Sequence, residues 1–247
     1  MDSIASGGAL HPAVGCQCLI FPTLNPLCRA RRAISRDIKA TVVPFLDDVD
    51  PFAQLVGSVN TVVRRGDRLV GYNTDADGFR QAVTAGVAAS GVDVRAAMVY
   101  GYGGVTNVVV HVLKELGYAV ALTGRRPEEA KRRAAELGCD TFVAGAGGAA
   151  AEGERRYELL INAAPVTDAA LGDAVGMLEA LAQGVRVVFD HEMPGACLRE
   201  HCAVHGIHHI PGVAMYYPQM YRQWELFLEQ EGVAKAEIPG LIAQAES

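Results

Sequence analysis

Residues 98–126 read Met98-Val-Tyr-Gly-Tyr-Gly-Gly-Val-Thr-Asn-Val-Val-Val-His-Val-Leu-Lys-Glu-Leu-Gly117, then Tyr118-Ala-Val-Ala-Leu-Thr-Gly-Arg-Arg126. An apolar run enters Gly101-Tyr-Gly103-Gly104, a helical pattern leaves it and stops at Gly117, and a second apolar run follows. Strand, glycine turn, helix and strand in that order make half of a dinucleotide-binding unit. The glycines let the backbone turn sharply and approach a pyrophosphate, which then rests on the amides of a helix N-terminus. Thr106 stands where the fingerprint has its third glycine, so the context carries more weight than the motif. An ordinary tight turn of an α/β protein without ligand is the alternative.

The end of the second strand bears on which nucleotide. An NAD-type site places an Asp or Glu there to hold the ribose 2′-hydroxyl. Here Ala119-Val-Ala-Leu122 runs into Thr123-Gly124-Arg125-Arg126, with no carboxylate before Glu128. Two guanidiniums at that corner suit a 2′-phosphate, since Arg offers charge and a planar fork of donors. NADP is therefore favoured over NAD. The plainer alternative makes both arginines solvated charges opening the helix Pro127-Glu-Glu-Ala-Lys-Arg-Arg-Ala-Ala-Glu-Leu137, where Glu128–Arg132 and Glu129–Arg133 have the spacing of surface pairs.

The chain has 247 residues, enough for one large domain or two small ones. Half are hydrophobic and a fifth charged, the profile of a globular protein. A net charge of −6 argues against a nucleic-acid partner. No stretch approaches the ~20 apolar residues of a membrane span. The N-terminus lacks the basic region and apolar core of a signal peptide, so a cytoplasmic location with reduced thiols is expected. No metal is expected: Cys16-x-Cys18 is not a knuckle spacing, Cys28, Cys139, Cys197 and Cys202 are scattered, and the cluster His205, His208, His209 has no partner motif.

Before the glycine turn, Pro12, Pro22 and Pro26 break up residues 1 to about 30, with a short strand possible at 18–21. Ile34-Ser35 reads as extended, and Ala40-Thr-Val-Val-Pro-Phe-Leu46 carries an apolar face. Asp50 caps a short helix over 51–56. Residues 58–63 and 69–72 read as two strands about a polar turn containing Gly66-Asp67. Asn73-Thr-Asp-Ala-Asp77 caps a helix over 78–85, and the small, polar run 86–95 is a boundary. The predicted nucleotide unit runs from Ala96 to about Ile210. Its further strands lie at 159–162 and 185–190, its further helices around 175–183 and 196–205, with a low-complexity loop at 144–151. Strands alternating with helices imply a parallel sheet covered on both faces. A long amphipathic helix over 215–231 carries Gln219, Gln223 and Trp224, and the tail after Gly232 reads as weakly ordered. The division expected is 1–88 and 213–247 about a nucleotide-binding segment 89–212.

Outside the nucleotide unit, the polar residues with chemical potential are Lys39, Asn60, Asp75 and Gln219. Each has an ordinary reading as well: a solvated lysine, a strand-ending asparagine, a helix-capping aspartate. Taken together with their neighbours, they resemble the shikimate dehydrogenase family. Gly57-Ser-Val-Asn-Thr-Val62 is similar to its G-A-V-N-T segment and Gly71-Tyr-Asn-Thr-Asp-Ala-Asp-Gly78 to its G-x-N-T-D-x-x-G. Lys39-Ala-Thr-Val-Val-Pro-Phe-Leu-Asp47 looks like the stretch that opens on its catalytic lysine. Gly101-Tyr-Gly-Gly104 resembles its G-A-G-G turn, Gly124-Arg125-Arg126 its N-R-T, and Leu160-Ile-Asn-Ala-Ala-Pro165 its I-N-A-T-P strand. Gly212-Val-Ala-Met215 with Gln219 resembles its C-terminal G-L-x-M-L-x-x-Q helix. The likeness runs from about Ile34 to Glu231, in order.

The resemblance implies a Rossmann-type NADP-binding domain and a smaller α/β substrate domain completed by the C-terminal helix. It implies an enzyme that interconverts shikimate and 3-dehydroshikimate in aromatic amino-acid biosynthesis, as a monomer or homodimer. Lys39 and Asp75 would be catalytic, Lys39 moving the proton and Asp75 holding hydroxyls. Asn60 and Gln219 would bind the substrate. Gly101, Gly103, Gly104, Val105, Arg125, Arg126, Ala163, Gly212 and Met215 would bind the cofactor, which carries the redox chemistry. There are departures. The family's S-x-S-P motif, which grips the substrate carboxylate, has no counterpart; Phe21-Pro-Thr-Leu-Asn-Pro26 offers one hydroxyl. The P-[HF] before the lysine is Asp37-Ile38, the Y-x-P tyrosine is replaced in Glu192-Met193-Pro194, and the Thr of N-A-T-P is Ala164. Quinate or another hydroxy acid as substrate, or a nucleotide-binding protein that has lost catalysis, are the alternatives.

Overall fold

The computed structural model describes residues 31–34, 38–142, 156–164, 172–191 and 198–246. The sequence readings at 18–21, 21–26, 35, 37, 144–151, 165 and 192–194 lie outside the described residues. Those described fall into two compact units, one reaching to Asn73 and resuming at Glu225, the other running from Thr74 to Trp224.

The first unit is built on a sheet of β1 (Arg31–Ala33), β2 (Asp48–Val49), β3 (Thr61–Arg65) and β4 (Arg68–Tyr72), in the order β1-β3-β4-β2. The Gly66-Asp67 turn, with Gly66 at φ 61°, closes β3 on β4 as an antiparallel hairpin. Helix α1 (Pro51–Val56) starts where the Asp50 carboxylate accepts from the amides of Phe52 and Ala53, and ends at Gly57 with φ 64°. Ahead of α1, the apolar face of 40–46 is folded as a tight 3-10 turn over Val43–Phe45. Val42, Val43 and Leu46 from it pack on Ala53, Val59 and Val62.

The second unit begins with α2 (Asp75–Ser90). The helix starts three residues before the point predicted and runs through the predicted boundary, ending at Gly91 with φ 67°. Ala76, Phe79, Ala82 and Val83 form the buried stripe that carries it onward. There follow β5 (Ala96–Tyr100), α3 (Gly104–Glu115), β6 (Ala119–Thr123), α4 (Pro127–Leu137), β7 (Asp140–Thr141), β8 (Leu159–Asn162), α5 (Gly172–Ala182), β9 (Val187–Asp190), α6 (Arg199–His205), β10 (His208–Pro211) and α7 (Val213–Leu228). The six strands pair in parallel in the order β7-β6-β5-β8-β9-β10. By chain order that is 3-2-1-4-5-6, the doubly wound Rossmann arrangement, whose strand order reverses at β5 and β8. Central strands covered on both faces must be continuously apolar, and Leu159, Leu160, Ile161, Val187, Val188 and Phe189 are all fully buried. Glu158 sets the start of β5, its carboxylate accepting from the amides of Arg95 and Ala96 at 3.0 Å each.

The last segment belongs to the first unit. Glu231 pairs with Arg31 at 2.5 Å, Glu229 with Arg65, and Gln230 donates to the Arg64 carbonyl. The tail does not stay weakly ordered: α8 (Ile238–Glu246) forms, burying Ile238 and Ile242 one turn apart. Pro239 and Gly240 sit in its first turn, where a missing amide costs nothing. Among the described residues no helix is long and apolar enough to cross a membrane, and no group of three or more His, Cys, Asp or Glu is placed to hold a metal ion.

Candidate functional site

Ligands of doubly wound sheets sit beyond the carboxyl ends of the strands where the order reverses, here the ends of β5 and β8. Gly101 leaves β5 with φ 118°, a conformation for glycine, and its amide donates to the Thr123 carbonyl at 3.0 Å. A methyl there would meet the main chain of Ala163 and Ala164 at 3.1 Å, so the turns after β5 and β8 touch through Gly101. Ala163 is buried, its amide donating to the Tyr100 carbonyl. Asn162 ends β8 fully buried, its side-chain amide donating to Asp190 Oδ1 at 3.0 Å and its Oδ1 accepting from the Ala164 amide at 3.2 Å.

Gly103 and Gly104 differ from Gly101. Gly103 caps α3 and Gly104 is its first residue, yet among the described residues an added methyl on either would meet nothing within 4 Å. The described residues give no steric reason for two glycines there; room for a ligand against the main chain at the helix N-terminus would be one. Val105 follows in the first turn, half-buried. At the adjacent corner, Arg125 and Arg126 are both exposed at the end of β6. Arg125 makes no hydrogen bond or ion pair among the described residues. Arg126 donates through its backbone N–H (3.2 Å) and Nε–H (3.3 Å) to the Tyr102 hydroxyl, and its guanidinium carbon stands 5.1 Å from the Tyr102 ring centre. That hydrogen bond raises the guanidinium's already high pKa. Both helical pairs that sequence spacing suggested have other partners: Glu128 binds Lys131 rather than Arg132, Glu129 binds Arg132 rather than Arg133, and Glu136 binds Arg132 and Arg133. Arg126 is not among them.

The same unit carries a second polar cluster. Asp75 opens α2 and is 5% exposed, beside buried Thr74 and Asn73 at the end of the first unit. One turn on, Gly78 lies directly against α7: a methyl there would sit 2.5 Å from the Met215 carbonyl oxygen and 2.8 Å from Gln219 Cβ. The first turns of α2 and α7 are thus in backbone contact, which puts Asp75, Met215 and Gln219 in one neighbourhood. Gly212, just before α7, is equally confined, with the carbonyls of Asp190 and His191 2.9 Å from where a Cβ would be. The steric reasons for Gly78 and Gly212 are not visible in the sequence, because each partner lies far along the chain.

Lys39 and Asn60 belong to the first unit. The Lys39 carbonyl accepts from the Val59 amide at 2.8 Å, fixing the lysine's main chain beside the residue that precedes Asn60. Asn60 is 2% exposed; its backbone amide donates to the Tyr72 carbonyl and its Oδ1 accepts from the Thr61 hydroxyl at 2.8 Å. Asn73 Nδ2 donates to the Ser58 carbonyl, tying the two N-T motifs together. A half-buried lysine with a buried, oriented asparagine amide suits recognition of a polyhydroxylated ligand, since polar groups left unpaired on burial penalise the wrong one.

No protein-family model matches the chain. The shikimate dehydrogenase (NADP(+)) of Thermus thermophilus is 36% identical over 146 residues, 58% of this chain and 51% of that relative, so the chain spans about half its length. That of Symbiobacterium thermophilum is 33% identical over 210 residues, 78% of this chain and 69% of the relative. The crystal structure of the Thermus thermophilus shikimate 5-dehydrogenase in complex with NADP(H) and shikimate superimposes with a TM-score of 0.64, covering 91% of this chain and 85% of that one. At 22% identity that likeness is one of fold. The 3-2-1-4-5-6 sheet, the glycine turn at its reversal point and the extent of the Symbiobacterium match together place the chain in the shikimate dehydrogenase family.

Proposed function

We propose that the protein is an NADP-dependent oxidoreductase that interconverts shikimate and 3-dehydroshikimate, a cytoplasmic step toward aromatic amino acids. The observation that carries the reading is the pair Gly103 and Gly104, open to close approach at the reversal point of the sheet. Residues 89–212 bind the dinucleotide, and residues 1–88 with 213–247 the substrate. The main-chain amides at the start of α3 hold the pyrophosphate, with Gly101 and Val105 shaping the turn. Arg125 and Arg126 take the 2′-phosphate, and Ala163, Gly212 and Met215 border the nicotinamide. When bound, the nicotinamide accepts hydride from the carbon that bears the substrate hydroxyl.

The protein's own work is positioning and proton transfer. Lys39 as the neutral amine takes the hydroxyl proton while the carbon becomes a carbonyl, and returns it in the reverse direction. Asp75, held at the head of α2, accepts hydrogen bonds from substrate hydroxyls. Asn60 and Gln219 bond the remaining ring hydroxyls. The chain acts as a monomer or homodimer.

One observation favours a second reading, a related ring acid such as quinate: the segment 21–26 offers one hydroxyl where the family has two serines for the carboxylate. Initial rates of NADP⁺ reduction with shikimate and with quinate, against NAD⁺, separate the two. Turnover with shikimate that falls at least about a thousandfold in Lys39→Ala supports the reading. NADP binding with no turnover of either acid overturns it in favour of a nucleotide-binding protein without this activity.

A further inference from the structure

The proposed function uses the glycines of the β5–α3 turn and the arginines after β6, but not the residue between Gly101 and Gly103. Tyr102 is half-buried and bridges those two features. One edge of its ring lies on Gly124, where an added Cβ would come within 2.5 Å of Cε1 and 3.3 Å of Cδ1 and Cζ. The hydroxyl accepts from the Arg126 backbone at 3.2 Å and from Arg126 Nε at 3.3 Å, with the guanidinium carbon 5.1 Å from the ring centre. The arginine is therefore anchored by the ring and by Nε. Among the described residues nothing hydrogen-bonds to its two terminal nitrogens. A guanidinium held at Nε presents those two nitrogens as a fork, the arrangement that grips an oxyanion with two parallel bonds. Arg125 next to it has no such anchor.

We propose that Tyr102 is a specificity-determining positioning residue for the dinucleotide: it holds Arg126 ready for the ribose 2′-phosphate and so sets the preference for the phosphorylated cofactor. The proposal rests on the NADP reading above. An exposed arginine samples many rotamers, and ordering it on binding costs affinity; a side chain ordered beforehand does not incur that cost. Gly124 is part of the device, since any side chain there would displace the ring. The benefit falls only on ligands carrying the 2′-phosphate, because the 2′-hydroxyl of NAD gives an arginine fork no anion to grip.

The test is titration calorimetry of the full chain with NADP, NAD, adenosine 2′,5′-bisphosphate and AMP, for wild type, Tyr102→Phe, Arg126→Met and the double variant. Tyr102→Phe keeps the ring and removes the Nε anchor. It is expected to weaken NADP and the bisphosphate about three- to fivefold while leaving NAD and AMP unchanged. Arg126→Met is expected to weaken the two phosphorylated ligands about ten- to a hundredfold, and in that background Tyr102→Phe has no further effect. Equal weakening of NADP and NAD by Tyr102→Phe, or a Tyr102 effect that persists without Arg126, overturns the proposal and leaves the NADP reading standing. A wild-type protein that binds NADP no more tightly than NAD overturns both.

Discussion

Gly78 and Met215 are packed main chain to main chain: a methyl on the glycine would sit 2.5 Å from the methionine's carbonyl oxygen. Neither atom group belongs to a flexible side-chain end, so Gly78→Ala forces α2 and α7 apart. We expect a loss of about 1–3 kcal/mol in urea unfolding. Gly176 in α5 is the matched control, since among the described residues its added methyl meets nothing within 4 Å. Gly176→Ala is expected to stabilise by about 0.5–1 kcal/mol. Equal effects at the two sites would show that helix propensity, not contact, governs Gly78.

Asn162 and Asp190 are both fully buried and share a 3.0 Å hydrogen bond. Asn162→Asp brings two carboxylates to that distance and raises their pKa values. Groups with raised folded pKa contribute stability at low pH and lose it as pH rises. The variant is therefore expected to fall below wild type by about 2–4 kcal/mol at pH 7.5, with the gap narrowing toward pH 5. A gap independent of pH would mean that shape, not charge, sets the cost.

His209 moves the other way. Burial lowers its pKa below the ordinary imidazole value, Asp190 opposes the shift, and Arg199 and His208 reinforce it. A depressed folded pKa means that the unfolded chain binds the proton first, so stability is full above about pH 6.5 and is lost as pH falls below it. Thermal unfolding between pH 7.5 and 5.5 should show a steeper acid loss in wild type than in His209→Gln. Parallel curves would place the acid sensitivity elsewhere.

Cys202 is fully buried, and its thiol is pushed up to about 11, chiefly by desolvation and secondly by the Asp190 charge. Cys139 is raised by burial as well, with Asp140 adding and Lys114 opposing. With the thiolate as the reactive form, native Cys202 at pH 8 should alkylate at least about a hundredfold more slowly than in denatured protein. Peptide mass spectrometry after timed iodoacetamide treatment reads this site by site. Rapid native labelling of Cys202 would require an opening of α6.

Periodicity and capping chemistry made most of the fold legible. The run Leu159–Ile161 is continuously apolar because both faces of its strand are covered, and Asp50 announces α1 through the two amides it caps. Predictions failed where a tertiary contact decides. The tail after Gly232 reads as weakly ordered from its terminal position, whereas α8 is held by burying Ile238 and Ile242. The Asn73–Asp77 polar run resembled a cap for a later helix, although Thr74 provides no side-chain cap and α2 begins at Asp75. At the candidate site, the glycine turn and the two arginines stand out in the sequence, since their residue types follow from the chemistry of a phosphate. The role of Tyr102 does not, because its partner is 24 residues away on the next strand's end. Nor does the reason for Gly78, which only the packing of α7 supplies.

The first unit is completed by chain from both sides of the second: Arg31, Arg64 and Arg65 meet Glu231, Gln230 and Glu229. During synthesis those arginines leave the ribosome long before their partners exist, whereas the continuous stretch from Thr74 to Trp224 holds every strand of its own sheet. We expect the later-made unit to fold first and the earlier-made one to wait, a reversal of the usual order of emergence. Ribosome-bound chains arrested shortly after Trp224 has emerged should resist protease across the parallel sheet while remaining cleavable between Arg31 and Tyr72. Protection of both regions at that length would show that the first unit does not depend on its final segment. A dependent first unit would leave the β3–β4 hairpin uncovered for the longest interval of the nascent chain's life, and so make it the place where aggregation or chaperone capture begins.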